Sequence, residues 1–489
     1  MHKSHAMVLN SFVRSDFGLR PVRVEVVLTP GVSQIQILGL PDQLIKESTK
    51  RILSALRHQN FRMPPGKQAI VNLQPNHLKK SSQGLDLAIA MGILLESEQI
   101  PRDHFNYERD YVYGALTLKG EVIVPGDLEL LNYEKFPKIV LTGLSKLSWN
   151  FSAGELQALS LLEELSFKEP QGELYQYKAA PLPENMEFPK NLARIMATVA
   201  IGEHSLLLAG SSGIGKTTLV EHLAFLLRQP EEKDYLESKK YWRFAGRDLN
   251  SRPVVQPHHT ITPLAMIGGG RPPRFGEISL AHGGALILDE LLEFHPLVQS
   301  ALREPMEKGK VYVARAGGRQ VFPADTLVLA TTNLCPCGQF RPDSSYSCRC
   351  SSLKLRHYIE RLTGPFLDRF SIFHILKNEN SGKRVPLCEI KKWVEGAHKF
   401  MEERGQIALN KDLKEEELLS YLSKEVSKAL IPRSQSLRRR LSLLRVARSL
   451  ADLDKSPLIK QSHLEESQGL SSRDMYLLQN FRMDNFAMR

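Results

Sequence analysis

The stretch Ser205-Leu-Leu-Leu-Ala-Gly-Ser-Ser-Gly-Ile-Gly-Lys-Thr-Thr218 decides how the rest of the chain is read. Leu206 to Ala209 have the apolar run of a buried strand, and Thr218 to Leu227 have the pattern of a helix. Between them Gly210 to Thr217 satisfies G-x-x-x-x-G-K-[ST] at every fixed position, the signature of a phosphate-binding loop. Its glycines let Gly210, Ser211, Ser212, Gly213, Ile214 and Gly215 fold tightly enough to aim backbone N–H groups at a nucleotide's phosphates. The helix that opens at Lys216, Thr217 and Thr218 adds the positive end of its dipole. In such a loop Lys216 reaches the β- and γ-phosphates, and the Thr217 hydroxyl ligates Mg²⁺.

A second fixed point lies downstream at Ala285-Leu-Ile-Leu-Asp-Glu290, an apolar strand ending in two carboxylates. Asp289 is placed to hold the Mg²⁺ shell, and Glu290 to orient and deprotonate an attacking water. A base beside the metal ligand points to ATP hydrolysis rather than nucleotide storage. A third buried strand, Thr326 to Thr331, runs into Thr332-Asn333, where Asn333 either holds that water near the γ-phosphate or caps the strand end. Together these predict an α/β nucleotide domain over 190–376.

Immediately after Asn333 come Cys335-Pro-Cys337-Gly and then Cys348-Arg-Cys350. Four of the five cysteines fall inside one short segment, which uniform scatter does not explain. In a reducing compartment, thiolates so clustered suit a tetrahedral structural Zn²⁺ better than disulfides. Cys388 stands apart and is expected to be a small buried residue.

Two projections carry arginines: the loop Gly268 to Gly276 with Arg271 and Arg274, and a hairpin from Val311 to Phe322 whose tip holds Arg315 and Arg319. They suit either phosphate contacts to nucleic acid or ordinary solvated turns. In Gly364-Pro-Phe-Leu-Asp-Arg-Phe370, Arg369 either reaches a neighbouring subunit's γ-phosphate or forms an intrachain ion pair.

Residues 1–169 hold no nucleotide motif and read as a mixed α/β domain. Val22 to Leu28 and Gln34 to Leu38 are expected to be strands around a Pro30-Gly31 turn, followed by a helix with Ile45, Ile52, Leu53 and Leu56 on one face. A strand at Ala69 to Leu73, a helix from Leu85 to Leu95, a hairpin turning at Lys119-Gly120 and a strand at Ile139 to Leu141 come next. A last helix is expected from Glu155 to Leu165. Residues 170–189, with Pro170, Pro181, Pro183 and Pro189, read as a linker. From 377 to 489 the pattern is helical, over Ile390 to Glu403, Lys414 to Ala429 and an arginine-rich Ser436 to Leu453. Beyond Ser471 no clear periodicity remains.

The length, 489 residues, suits several domains, and 42% hydrophobic with 24% charged residues is the composition of a soluble globular protein. No apolar run approaches the ~18 residues of a membrane span, the first residues carry no signal-peptide core, and the cysteines form no disulfide framework. These features predict a cytoplasmic protein without membrane partners. Lys and Arg outnumber Asp and Glu by 65 to 54, a net +11 compatible with a polyanionic partner.

The motifs resemble those of the ComM/YifB branch of Mg-chelatase-like AAA+ ATPases over nearly the whole chain. The resemblance is carried by His258-His259-Thr260-Ile261, Gly276 to Phe294, Asn333 to Gly338 with the later cysteine pair, and Gly364 to Phe370. In the N-terminal part it is carried by Ile37-Leu-Gly-Leu-Pro-Asp42 with Lys46-Glu47-Ser48, and by Val71-Asn-Leu73 leading to Gly84-Leu-Asp-Leu-Ala88. It implies a P-loop AAA+ core between an N-terminal Lon-protease-like α/β domain and a C-terminal helical lid, assembled as a homo-hexameric ring. It also implies ATP and Mg²⁺ as cofactors, with Lys216, Thr217, Asp289, Glu290 and Asn333 in the roles above. Arg369 matches an arginine finger acting in trans, and Arg438 falls at the lid's sensor arginine, beside Arg439 and Arg440. Where the family opens its nucleotide domain with Gly-Gln, this chain has Phe188-Pro-Lys-Asn191, which leaves the base contacts open. The Lon-like domain shows no Gly-Pro-Ser-Ala-Gly segment. Gly84 stands near the nucleophile position, with Ser81 and Ser82 close by, so peptidase activity is not expected. The expected function is a branch-migrating DNA helicase in recombination or natural transformation, acting on single-stranded or branched DNA with possible recombination partners. The alternative is a chelatase-type motor that remodels a protein partner.

Overall fold

The computed structural model describes residues 6–15, 18–38, 42–75, 83–133, 136–146, 149–170, 177–270, 274–315, 318–340, 348–361, 366–377, 383–426 and 437–470. The chain divides into two compact units, one of residues 1–176 with 239–247, the other of 177–238 with 248–489. Among the described residues no helix is long and apolar enough to cross a membrane.

Among the described residues the first unit holds ten strands: β1 (Met7–Ser15), β2 (Gly18–Pro30), β3 (Ile35–Leu38), β4 (Lys67–Gln74), β5 (Tyr111–Val112), β6 (Ala115–Leu116), β7 (Val122–Ile123), β8 (Val140–Gly143), β9 (Ala153–Leu156) and β10 (Ser166–Lys168). Eight of them form a mixed sheet in the order β10-β9-β8-β5-β1-β2-β4-β3, and β6 and β7 pair as a separate hairpin around Lys119-Gly120. Val22, Val24 and Val26 alternate inward along β2 and are buried, the period-two pattern of a half-covered sheet. They meet the helix Asp86–Glu96, whose residues Asp86 to Leu95 are all buried, so it is a core helix with no polar face. Asp86, a charge inside that core, is held by Arg51 Nε at 2.8 Å and by the Ser48 hydroxyl at 2.7 Å. Burial pushes its carboxyl up, and the Arg51 and Ser48 hydrogen bonds oppose that rise.

The strands expected on either side of the Pro30-Gly31 turn are β2 and β3, and β4 lies between them in the sheet, antiparallel to β2 and parallel to β3. One expectation here is corrected. The helix expected over Glu155 to Leu165 is instead β9 followed by a 3₁₀ segment, Leu159–Glu164. Ala153 to Leu156 are drawn into the sheet by pairing with β8 and β10, which leaves the leucines after them to a 3₁₀ segment. Glu155 is buried in that strand and satisfied by Lys168 Nζ at 2.9 Å.

The second unit begins inside the expected linker. Residues 171–176 lie outside the described residues, but β11 (Glu187–Pro189) pairs with β21 (Arg384–Pro386), so the segment's end is structured. The remaining strands are β12 (Leu206–Ala209), β13 (Val254–Val255), β14 (Gly268–Gly269), β15 (Arg274–Phe275), β16 (Ala285–Leu288), β17 (Lys310–Arg315), β18 (Gly318–Pro323), β19 (Leu327–Thr332) and β20 (Ile372–Ile375). Five form a fully parallel sheet in the order β13-β16-β19-β12-β20. β12, β16 and β19 are buried along their whole length, as a parallel sheet covered on both faces requires. The motif strands are thus neighbours in space, with β19 inserted between the strand of the phosphate-binding loop and the strand of Asp289.

The C-terminal part is helical, with Leu387–Glu403, Glu415–Ser420, Leu437–Leu453 and Gln461–Gln468. The helix expected over Lys414 to Ala429 is shorter: after Ser420 the chain turns, and Leu422 bridges to Ile459. Residues 427–436 and the tail from 471 lie outside the described residues. Cys388 is exposed, not buried; its neighbours Leu387 and Ile390 take the inward positions of that helix. Ile390, Val394, Val446 and Leu450 share one apolar cluster with Ile195, Met196 and Val199 of the helix Lys190–Gly202. A buried polar network accompanies it. His204 Nε2 meets the Ser449 hydroxyl at 2.8 Å, Asn410 Nδ2 donates to Ser449 and Asp452, and Arg404 and Arg448 both pair with Asp452.

Candidate functional site

The loop after β12 sits at the carboxyl edge of the parallel sheet, where ligands bind in open α/β folds. Gly213 and Gly215 have φ of 77° and 93°, left-handed values that a Cβ would strain, so the glycines at these motif positions are dictated by the backbone. Lys216 Nζ donates to the carbonyls of Gly210 (3.0 Å) and Ser211 (2.9 Å) and to Asn333 Oδ1 (3.1 Å). Burial lowers the Lys216 pKa, and the charges of Asp289 and Glu290 oppose the shift. Thr217 Oγ1 donates to Asp289 Oδ1 at 2.9 Å, about the separation of two adjacent oxygens in an octahedral Mg²⁺ shell. These hard oxygen donors fit that ion.

Thr331, which the sequence did not single out, fixes both carboxylate residues. Its hydroxyl donates to Asp289 Oδ1 and accepts the Glu290 amide at 3.0 Å. Glu290 has φ 52° and ψ 55°, a left-handed conformation rare for a non-glycine residue and typical of functional positions. The only available signal for Thr331 was its place at the end of the strand before Asn333.

Beside the loop lies a cavity of about 250 Å³ lined by Phe188, Asn191, Ile214, Thr218, His374 and Leu376. The segment Phe188 to Asn191, whose base contacts the sequence left open, therefore stands next to the phosphate loop. Apolar walls with a few polar groups suit a nucleoside.

Arg369 and Arg438 are elsewhere. Arg369 precedes β20, and its carbonyl accepts the Ser205 hydroxyl at 2.8 Å, at the amino ends of β12 and β20. A strand of four residues is roughly 13 Å long, so these groups lie on the opposite edge of the sheet from Lys216. Arg369 Nη2 pairs with Glu307 at 3.2 Å and Nε donates to the Arg303 carbonyl. Arg438 reaches the same Glu307 carboxylate at 2.5 Å. Arg439 pairs with Asp368 and Arg440 with Glu415, while Arg438 shares Glu307 with Arg369. Arg369, Arg438, Glu307 and Arg445 line a groove of about 870 Å³.

The four cysteines converge. The Sγ atoms of Cys335, Cys337, Cys348 and Cys350 all lie within 4.8 Å of one another, with 3.3 Å between the first two and 3.7 Å from Cys337 to Cys348. Thiolates at about 2.3 Å from Zn²⁺ stand about 3.8 Å apart, so the donor set fits that ion. Burial raises the Cys337 thiol, but the amides of Gln339 and Arg349 and hydrogen bonds with Cys335 and Cys350 together bring it down to about 6.

The two arginine-bearing projections are hairpins, β14 with β15 and β17 with β18, and they meet where Phe275 and Phe322 stand 6.5 Å apart edge to face. Arg274 is exposed on β15. Arg271 lies outside the described residues, and for Arg315 and Arg319 only the strand positions at the tip are described. In the first unit, a Cβ on Gly84 would stand 2.2 Å from the Tyr113 ring, so Gly84 has no room for a side chain beside it. Ser81 and Ser82 lie outside the described residues.

A phosphate-binding loop, an Asp-Glu strand end and an intervening strand ending in Asn333, ordered on one parallel sheet, define a P-loop nucleotide-binding protein of the AAA+ class. The family described as magnesium chelatase, subunit ChlI, matches residues 186–384, its C-terminal family matches 387–470, and the family described as subunit ChlI of Mg-chelatase matches 24–129. YifB of Escherichia coli K12 is 31% identical over 94% of this chain and 95% of its own length. The competence protein ComM of Haemophilus influenzae is 30% identical over 94% of this chain and 96% of its own length. The chain belongs to the ComM/YifB family of magnesium chelatase-like AAA+ proteins.

Proposed function

We propose that the protein is an ATP-driven DNA motor working as a ring of six identical subunits, a ComM-like branch-migration helicase. The observation that carries the reading is the split of the ATP machinery between two edges of one sheet. Lys216, Thr217, Asp289, Glu290 and Asn333 stand at the carboxyl edge, and Arg369 and Arg438 stand at the amino edge. In a ring, the amino edge of one subunit meets the carboxyl edge of the next, which completes each site.

The amides of Gly210 to Thr218 and Lys216 hold the phosphates, and Thr217 with Asp289 holds Mg²⁺, which when bound neutralises charge on the β- and γ-oxygens. Glu290 accepts a proton from the attacking water, which Asn333 orients. Arg369, with Arg438 beside it, leaves Glu307 and meets charge developing on the neighbour's γ-phosphate. Closing and opening these contacts at successive interfaces moves the hairpins carrying Arg271, Arg274, Arg315 and Arg319 along a phosphate backbone. The competence name of the Haemophilus relative supports DNA as the polymer and recombination during uptake as the setting. Cys335, Cys337, Cys348 and Cys350 hold a structural Zn²⁺, four thiolates leaving no open position for catalysis. Residues 1–169 are a Lon-like domain without peptidase chemistry, a reading supported by the Tyr113 ring against Gly84, and 377–489 are the lid.

The test is branch migration and ATPase activity, measured with single-stranded and branched DNA for wild type and Glu290→Gln. The proposal expects DNA-stimulated hydrolysis and strand movement in wild type only. Equal strand movement in both proteins refutes it. ATP hydrolysis indifferent to DNA favours the chelatase-type remodelling of a protein partner, which the magnesium chelatase family itself supports.

A further inference from the structure

The cysteine-bearing turn is also the outer wall of the phosphate-binding loop. The Gly338 carbonyl accepts the Ser212 amide at 2.7 Å, and Ser212 lies in the centre of that loop. Gly338 has φ 72°, which strains any other residue, and a Cβ there would stand 3.0 Å from Ser212 Cβ, so a side chain would press on the loop. Its amide closes the turn on the Cys335 carbonyl at 3.0 Å, and the amide of Phe340, a fully buried ring, donates to Cys335 Sγ at 3.1 Å.

The same segment touches the loop twice more. The Thr332 carbonyl accepts the Gly210 amide at 3.2 Å, and Asn333 Oδ1 accepts from Lys216 Nζ. Three bonds from 332–338 therefore reach the first glycine, the middle and the lysine of the phosphate loop. Cys335 and Cys337 lie inside that interval, and their sulfurs converge with those of Cys348 and Cys350. A metal joining all four sulfurs fixes the turn from which Gly338 and Asn333 project, because such sites supply folding free energy to short segments that lack a core of their own.

We infer that the tetrathiolate turn is a positioning device for the nucleotide site: Zn²⁺ on Cys335, Cys337, Cys348 and Cys350 holds Gly338 and Asn333 where they set the curvature of the loop from Gly210 to Lys216. The inference rests on the nucleotide-site and zinc readings above. It makes nucleotide affinity depend on a metal that touches neither nucleotide nor Mg²⁺.

The test uses the full chain and reads two quantities: zinc content per chain and affinity for a fluorescent ATP analogue with Mg²⁺. Removal of zinc by a chelator, followed by desalting, is expected to weaken nucleotide binding by about tenfold, the loss of one to two hydrogen bonds' worth of preorganisation, with recovery on adding Zn²⁺. Gly338→Ala is expected to keep its zinc and lose similar affinity. Where chelation unfolds the chain by far-UV circular dichroism, Gly338→Ala decides. Wild-type affinity in zinc-replete Gly338→Ala, or in folded zinc-free protein, overturns the inference. Wild type that binds nucleotide with no zinc overturns it through the zinc reading. Wild type replete with zinc that binds no nucleotide overturns it through the nucleotide-site reading.

Discussion

In the proposed mechanism Lys216 serves binding and Glu290 serves chemistry, and their variants should separate the two. Lys216→Ala removes the group that bridges two loop carbonyls and Asn333, and it is expected to cut nucleotide affinity by at least roughly tenfold in equilibrium binding. Glu290→Gln keeps the volume and the left-handed turn but loses the base, so affinity persists while kcat falls on the order of 10² to 10⁴. Thr331→Val is the sharper probe of what the sequence did not show. Its hydroxyl serves Asp289 and the Glu290 amide together, so the variant should need more Mg²⁺ for half-maximal rate as well as turning over more slowly. The motif residues were legible because their spacing is local and their chemistry is tied to fixed positions in the chain. Thr331, Gly338 and Glu307 were not, because each acts through a partner distant in sequence that only the folded chain brings near.

Elements were legible where one face or one run settled the matter. β12, β16 and β19 are buried apolar runs and were found, and Asp86–Glu96 was found because it is apolar all round. β9 was misread because the leucines at helical spacing lie mostly beyond it, in Leu159–Glu164, while Ala153–Leu156 find strand neighbours on both sides. The junction between the helix Lys190–Gly202 and the helical C-terminal part carries its own test. His204 is buried, and burial, with Arg445 and Lys411 nearby, lowers its pKa to about 3. The unfolded chain takes up a proton at this residue below about pH 6.5, while the native state stays neutral. Its contribution is therefore complete above pH 6.5 and is lost as pH falls toward 3, at about 1.4 kcal/mol per pH unit. His398 and His463 shift the same way, and Glu203, lowered to about 2, adds its own loss only below about pH 4.5. Between pH 6.5 and 4.5, His204→Asn should flatten the pH dependence of the denaturation midpoint without removing it. Asp452→Ala leaves Arg448, wholly buried, and Arg404 facing each other without a carboxylate, and it is expected to cost about 3 to 5 kcal/mol in urea denaturation.

At the scale of the molecule, the separation of Arg369 from Lys216 by the depth of the sheet predicts complementation between defective subunits. Arg369→Ala and Lys216→Ala should each be inactive alone. Mixed in equal amounts and allowed to exchange, they should recover measurable ATPase activity, because roughly a quarter of the interfaces then pair an intact loop with an intact arginine. No recovery after verified mixing places both groups in one subunit's site. The order β13-β16-β19-β12-β20 was not readable from the motifs, since hydrophobic runs do not say which strand lies beside which. Yet that order has a consequence for the cell. In the proposed ring, a chain that keeps the two halves of its reaction on opposite edges would carry out no turnover on its own, so its ATP consumption would track how crowded the subunits are. Dilution alone would then switch it off, and whatever gathers the copies at one place would also decide where fuel is spent.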